Sequence, residues 1–484
     1  MNLYVSSVNE FVNDGPVVNW LTSNVRLVVN DSDHLADFVQ KIKKQLLTLR
    51  PELMIVIETE YVDAVYRDTY YAYFATKLKP FRRFCVRFSF FENVFSTIND
   101  FITLDDEIIK NSYLGFIIIR PLGKCIGRNP ISPKAKNFPF TINSCLAEIQ
   151  STCLGFKLKV NAFPHSSQDG EYMTCAETTT WALAEYFGNK YVMYKPLLPS
   201  KLFETLKSHA IERLVPSQGL TIQQISMALI KLGFGCKVYS STSPRFKELF
   251  TCYIESGLPL AVAVGSGSIG HAIVCVGRKN LNRSQIIGKT NILGVDYYVW
   301  NISIDEFVFN DDNMPSYQVY GFNNPTPYLK GAKITHFIVP LHKKIYLSAE
   351  HAIDISHYFV ANDFKSPPES VIRTFLTSSR SYRDYICHNN DIPDKLKLAY
   401  LRIVLPKFIW VTEVSSRVDF DSRKVNSLIL LDATSTLSPG DVYASLILKQ
   451  NNNQLTLFDK TSRSFQNLNV IMPPRFESFN GNLL

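Results

Sequence analysis

Cys175 opens a run, CAETTTWALAEYFG, whose apolar residues recur at helical spacing as far as Gly188. Cysteine is an effective nucleophile only as its thiolate, and a helix N-terminus favours that ion through its dipole and its unpaired N–H groups. Such a nucleophile needs a base to carry its proton. His271 is placed for that role, heading the apolar stretch HAIVCVG directly after the glycine-rich loop GSGSIG, 96 residues on (271 minus 175). Asn310, Asp311 and Asp312 follow FVF at the end of another strand pattern, where a carboxylate would accept from the His271 ring and fix its tautomer. Strand continuity favours Asp311 slightly, and Asp312 stays open. Gln168 lies seven residues before Cys175 (175 minus 168) and can return over the helix start. There its amide would donate, with the Cys175 N–H, to a developing oxyanion. His165 and Cys153 are near in sequence but read as structural.

The elements that must position these residues are legible in outline. After the Cys175 helix, Ser200 to Leu214 reads as a helix capped by Ser200. GLTIQQISMALIKLGFG gives Thr221 as cap, Ile222, Ile225, Leu229 and Ile230 as an apolar stripe, and Gly233 as stop. RFKELFTCYIESG is a further helix, LPLAVAV a buried strand, and DYYVWNI and DEFVFN a third and fourth strand beyond His271. Helices precede strands, so the expected class is α+β, with a helical part followed by an antiparallel sheet.

Ahead of this region, Asp31 to Arg50 has the spacing of an amphipathic helix with Asp31 or Ser32 as cap and Pro51 as stop. KLKPFRRFCVRFSFF, Lys77 to Phe91, mixes five basic residues with five phenylalanines, the composition of a stacking platform for single-stranded nucleic acid. Its alternation favours a half-buried strand with Phe84, Val86, Phe88 and Phe90 on one face and Arg83, Cys85, Arg87 and Ser89 on the other. Tyr113 to Gly123 reads as a central strand. Beyond residue 345 come helical patterns broken by Pro367, Pro368 and Pro393, then strands and a hairpin at NNN. The proline-rich segment from Asn129 marks a boundary, giving three regions: an N-terminal α/β domain at 1–155, a middle domain at 156–345, and a C-terminal α+β region at 346–484 for substrate or partner recognition.

Composition narrows the function classes. In 484 residues, 46% are hydrophobic and 19% charged, as in a chain of two or three globular domains, and the net charge of +8 does not by itself imply nucleic acid. Nine cysteines without a CxxC pair read as reduced thiols rather than disulfides or a zinc site. No signal peptide and no membrane-spanning run is apparent, so the expected location is the cytoplasm.

The order Gln168, Cys175 with Ala176, YFG, GLT, ESGLPLAVAV, GHAIVCVG and a strand ending in Asp resembles the papain-like cysteine peptidases. The likeness is closest to the C39-like branch that cuts bacteriocin leaders, and it covers about 180 residues (roughly 168 to 345). The resemblance implies a central papain-like domain flanked by α/β regions, with Cys175 as nucleophile, His271 as general base and acid, Asp311 as orienter and Gln168 as oxyanion donor. It implies a protein or peptide substrate and no metal or organic cofactor. Glu177 departs from the pattern: a negative charge there disfavours the sulfur anion unless the side chain points away. Hydrolysis through an acyl-enzyme is the first expectation. Transfer to an amine, deamidation of glutamine, and a catalytically inactive scaffold or peptide-binding module are the alternatives.

Overall fold

The computed structural model describes residues 3–13, 35–207, 210, 212–267, 269–438, 440–451, 454–468, 470 and 473–484. It is a mixed α+β protein with several sheets, in which Val295–Val299 and Val371–Ser378 form a short parallel pair. The chain forms two units, each assembled from three separate segments. The first comprises Met1–Gly233, Ala261–Val276 and Val308–Ile338; the second comprises Phe234–Leu260, Gly277–Phe307 and Val339–Leu484.

The first unit begins with a four-stranded antiparallel sheet, Leu3–Ser7, Met54–Tyr61, Cys85–Phe91 and Tyr113–Ile119 in that order. The helix Leu35–Leu46 buries Val39, Ile42 and Leu46 in the core of this unit. The expected caps Asp31 and Ser32 lie outside the described residues. Cys85–Phe91 is not half-buried as its alternation suggests: every residue of it is buried. The reason is Arg87, whose guanidinium pairs with Glu58 at 2.5 Å and also donates to Thr152 O in the neighbouring hairpin, so a charged residue is covered because its donors are satisfied.

Tyr113–Ile119 is an edge strand rather than a central one. Its outer side is closed by the chain at 126–132, where Ile118 N donates to Arg128 O at 2.9 Å and Gly127 N to Ile118 O at 2.7 Å. This irregular segment gives the edge the covered, apolar surroundings of an interior strand.

Also in the first unit are the helices Cys175–Lys190, Pro199–Lys207 and Ile222–Lys231. Thr221 caps the last with a full capping box to Gln224, as expected, whereas Ile230 faces solvent. Ser200 is not a cap: the helix starts at Pro199, and the Ser200 N–H and hydroxyl both donate to Asp68 at 2.7 Å. The greater parts of five strands run in the order Gln318–Gly321, Glu306–Asn310, Ile269–Lys279, Leu260–Ser266, Lys333–His342. DYYVWNI divides, with Val295–Val299 a strand and Trp300–Ser303 a helical turn.

The second unit is built on an eight-stranded sheet from Lys289–Ile292 through to Ser464–Leu468. Its core carries an ion network in which Arg373 pairs with Glu255 and Glu413, each at 3.1 Å, and Glu255 also pairs with Arg278. Arg373 donates to Phe479 O at 2.7 Å and Phe479 N to Glu413 at 2.8 Å. Every segment of the unit contributes to this network.

Candidate active site

Cys175 is the first residue of its helix and is half-buried. Thr174 occupies the N-cap position but makes no side-chain cap bond, so the first-turn N–H groups are not claimed by a capping side chain. The Thr174 hydroxyl instead donates to Glu177 Oε2, and the Ser217 hydroxyl donates to Glu177 Oε1. Glu177 is only 1% exposed, and both its carboxylate oxygens accept from these hydroxyls. The Gln168–Thr174 loop is held by Arg120, which donates to Ser167 O and Gln168 O, and by Asp169 Oδ1, which accepts from the N–H groups of Glu171, Tyr172 and Met173 at 2.7 to 2.9 Å.

His271 is the third residue of the strand Ile269–Lys279 and is buried. Its Nε2 lies 2.9 Å from Asp311 Oδ1, against 3.7 Å for Asp312 Oδ1, and Cys175 is near enough to raise the ring. With Nε2 occupied by Asp311, Nδ1 is the ring atom left for the sulfur. Asp311 is held on every side: Oδ1 also accepts from Asn313 N at 2.9 Å, Oδ2 accepts the Thr326 hydroxyl, and the backbone carbonyl meets His165 Nε2 at 3.0 Å.

Gln168 donates its amide to Asn313 Oδ1 at 2.9 Å, which ties the loop before Cys175 to the turn after Asp311. Tyr328 lies over the His271 ring, centroid to centroid 5.1 Å. Cys175, His271 and Asp311 each come from a different segment of the first unit.

The electrostatics follow from burial and charge. Burial opposes a charged His271, yet the Asp311 hydrogen bond, the neighbouring Cys175 and the charges of Asp311 and Asp312 outweigh it and raise the ring to about 10. Asp311 is pulled down: burial pushes it up, but the His271 bond and charge, with Thr326 and Asn313, prevail. Asp312 is pushed up to about 7 by burial and by the Asp311 charge, against His271 and Lys124. Burial holds the thiols of Cys145 and Cys153 up at about 12 and those of Cys85 and Cys252 well above the usual range.

Among the described residues, His271, Asp311 and Asp312 are the acidic and histidine group whose ligand atoms lie within 4.8 Å of one another, as a metal ion would need. The 2.9 Å contact of His271 with Asp311 has hydrogen-bond length, which suits holding a proton.

Cys175, His271 and Asp311, singled out from the sequence, thus lie together, and Gln168 joins them through Asn313. Cys153 lies apart, 3.9 Å from Glu58. His165 touches the Asp311 backbone, a support the sequence reading did not assign. Asn313, Thr326 and Tyr328 were also missed: NDDN carries a turn signal that hints at Asn313, while the other two carry none. No protein-family model and no curated protein matches the chain.

Proposed function

We propose that the protein is a cysteine peptidase of papain-like design, hydrolysing a peptide or isopeptide bond through Cys175, His271 and Asp311. The observation that carries this reading is the His271 ring, held at 2.9 Å by a buried carboxylate and raised by its neighbour Cys175, which stands at a helix start. That is the arrangement of nucleophile, base and orienter.

In this reading the proton resides on His271 and Cys175 attacks the carbonyl carbon as thiolate. The oxyanion accepts from the Cys175 N–H, with the second amide hydrogen of Gln168 as a further donor. As the C–N bond breaks, His271 gives its proton to the leaving amine. The thioester is then opened by water, whose proton His271 takes; the acid leaves and the sulfur is restored. Asp311 keeps the ring in register throughout, and its four contacts leave it little freedom to turn away. The Glu177 carboxylate is turned to the Thr174 and Ser217 hydroxyls, which hold it in place.

The test is alkylation of the native protein with iodoacetamide near neutral pH, read residue by residue by mass spectrometry. Cys175 is expected to react well ahead of Cys387, the exposed thiol that serves as internal reference, and to lose that lead in His271→Ala. Equal, slow labelling of Cys175 and Cys387 in the unaltered protein overturns the reading and leaves the inactive-scaffold alternative standing.

A further inference from the structure

The loop that leads into Cys175 is flanked by cations that its own carboxylates do not neutralise. On one side Glu171, four residues before the nucleophile (175 minus 171), pairs with Lys77 at 2.8 Å and accepts from the Tyr73 hydroxyl at 2.9 Å, which fixes residues 73–84 beside the loop. That segment goes on to Lys79, Arg82 and Arg83, all exposed, and none has an ion pair among the described residues. No acidic residue occurs between Asp68 and Glu92, and Asp68 itself is taken up by Ser200.

Lys124 also lies against the loop, at Gly170, where an added Cβ would stand 3.6 Å from Lys124 Cε. Its ammonium feels the charges of Asp312, Asp169 and Cys175, yet no carboxylate comes within ion-pair distance among the described residues.

The aromatic residues between these cations decide which kind of anion fits. Phe81 packs edge-on against Phe74 with Lys79 above it, and Phe84 lies beneath both Arg67 and Arg83. Their faces are already in use, so they prop up the charges and offer no free platform for stacking bases. The Tyr66 hydroxyl, donating to Arg82 O at 2.7 Å, pins the backbone from below. With these two rings engaged, what remains on offer is chiefly spaced positive charge, which suits carboxylates.

We propose that Lys79, Arg82, Arg83 and Lys124 form the docking surface for an acidic segment of the protein substrate, laid beside the loop that carries Cys175. This deepens the peptidase reading and rests on it. Exposed, salt-screened charges of this kind raise association and orient the chain rather than burying area.

The experiment uses the full chain and a fluorescein-labelled octaglutamate peptide, followed by anisotropy at low and high salt. Binding is expected at low salt, weakening as salt rises, and at least tenfold weaker in the triple reversal Lys79→Glu, Arg82→Glu, Arg83→Glu, with the thermal midpoint serving as the fold control. Lys124→Gln is expected to weaken it further. Saturating octaglutamate is also expected to slow iodoacetamide labelling of Cys175 several-fold and leave Cys387 unaffected.

Three outcomes overturn the proposal: no binding at low salt, binding that the triple reversal leaves intact, or tighter binding of a single-stranded oligothymidylate at the same salt. The last would assign the surface to nucleic acid. Failure of the peptidase reading is distinguishable, since it removes the labelling lead of Cys175 in the absence of any peptide.

Discussion

At the scale of single residues the site depends on how much negative charge surrounds His271. Asp311 supplies the hydrogen bond, and Asp312, 3.7 Å away, adds a second charge that titrates at about 7. Hydrolysis needs a protonated ring to release the amine, so the rate should fall as pH rises through the His271 value of about 10. Asp312→Asn removes one carboxylate charge and should move this alkaline limb to lower pH by about one unit, the size expected for a charge at such a distance. The titration of the His271 ring followed by NMR reads the shift, and an unmoved midpoint would mean that Asp312 does not act on the ring. Cys175, His271 and the Asp311 region could be singled out because each carries a local signal: a helix start, a strand after glycines, a carboxylate at a strand end. Thr326 and Lys124 have no such signal. Their roles arise only when segments far apart in sequence meet, which no local pattern encodes.

At the scale of elements, Gly188 shows how a correct motif can carry a different cause. The sequence reading takes it as the end of the Cys175 helix, but the helix runs on to Lys190. Gly188 is needed for close approach: an added Cβ would lie 2.4 Å from Pro196 N and 2.5 Å from the Lys195 carbonyl carbon. Alanine would gain up to about 1 kcal/mol in helix propensity. Forcing the backbone of Lys195 and Pro196 away costs about 1–3 kcal/mol or more, because a main chain yields less readily than a side-chain tip. Gly188→Ala should therefore lower the thermal midpoint, and a rise would place the 195–196 chain further from the helix than described. Most helices and strands were readable from periodicity and caps. Val371–Ser378 is a strand although His351 to Ser379 reads as helical. Two further exceptions, Cys85–Phe91 and Tyr113–Ile119, share a cause: both are covered by other segments, so their burial is set by tertiary partners and not by their own alternation.

At the scale of the molecule, three consecutive regions were expected, and the close contacts instead group residues into two units of three segments each. Composition and proline content mark where a chain bends or loosens, but they carry no information about which segments return to pack together. In the second unit that return is enforced by Glu255, Arg278, Arg373 and Glu413, one network touching all three segments. Glu413→Ala would leave Arg373 short of one partner and the Phe479 N–H without an acceptor. A loss of about 3–5 kcal/mol is expected for a buried charge so stranded, measurable by urea unfolding. A loss below about 1 kcal/mol would mean that water reaches the network.

Because the three site residues lie in three segments of one unit, they also reach existence at different times. A ribosome that has just finished Cys175 must add 96 more residues to reach His271 (271 minus 175) and a further 40 to reach Asp311 (311 minus 271). At about 5–20 residues per second the growing chain carries its sulfur without a base for roughly 5–20 s. On the peptidase reading, chain order thus acts as a timer: the site stays incomplete until the segment ending at Ile338 closes the unit.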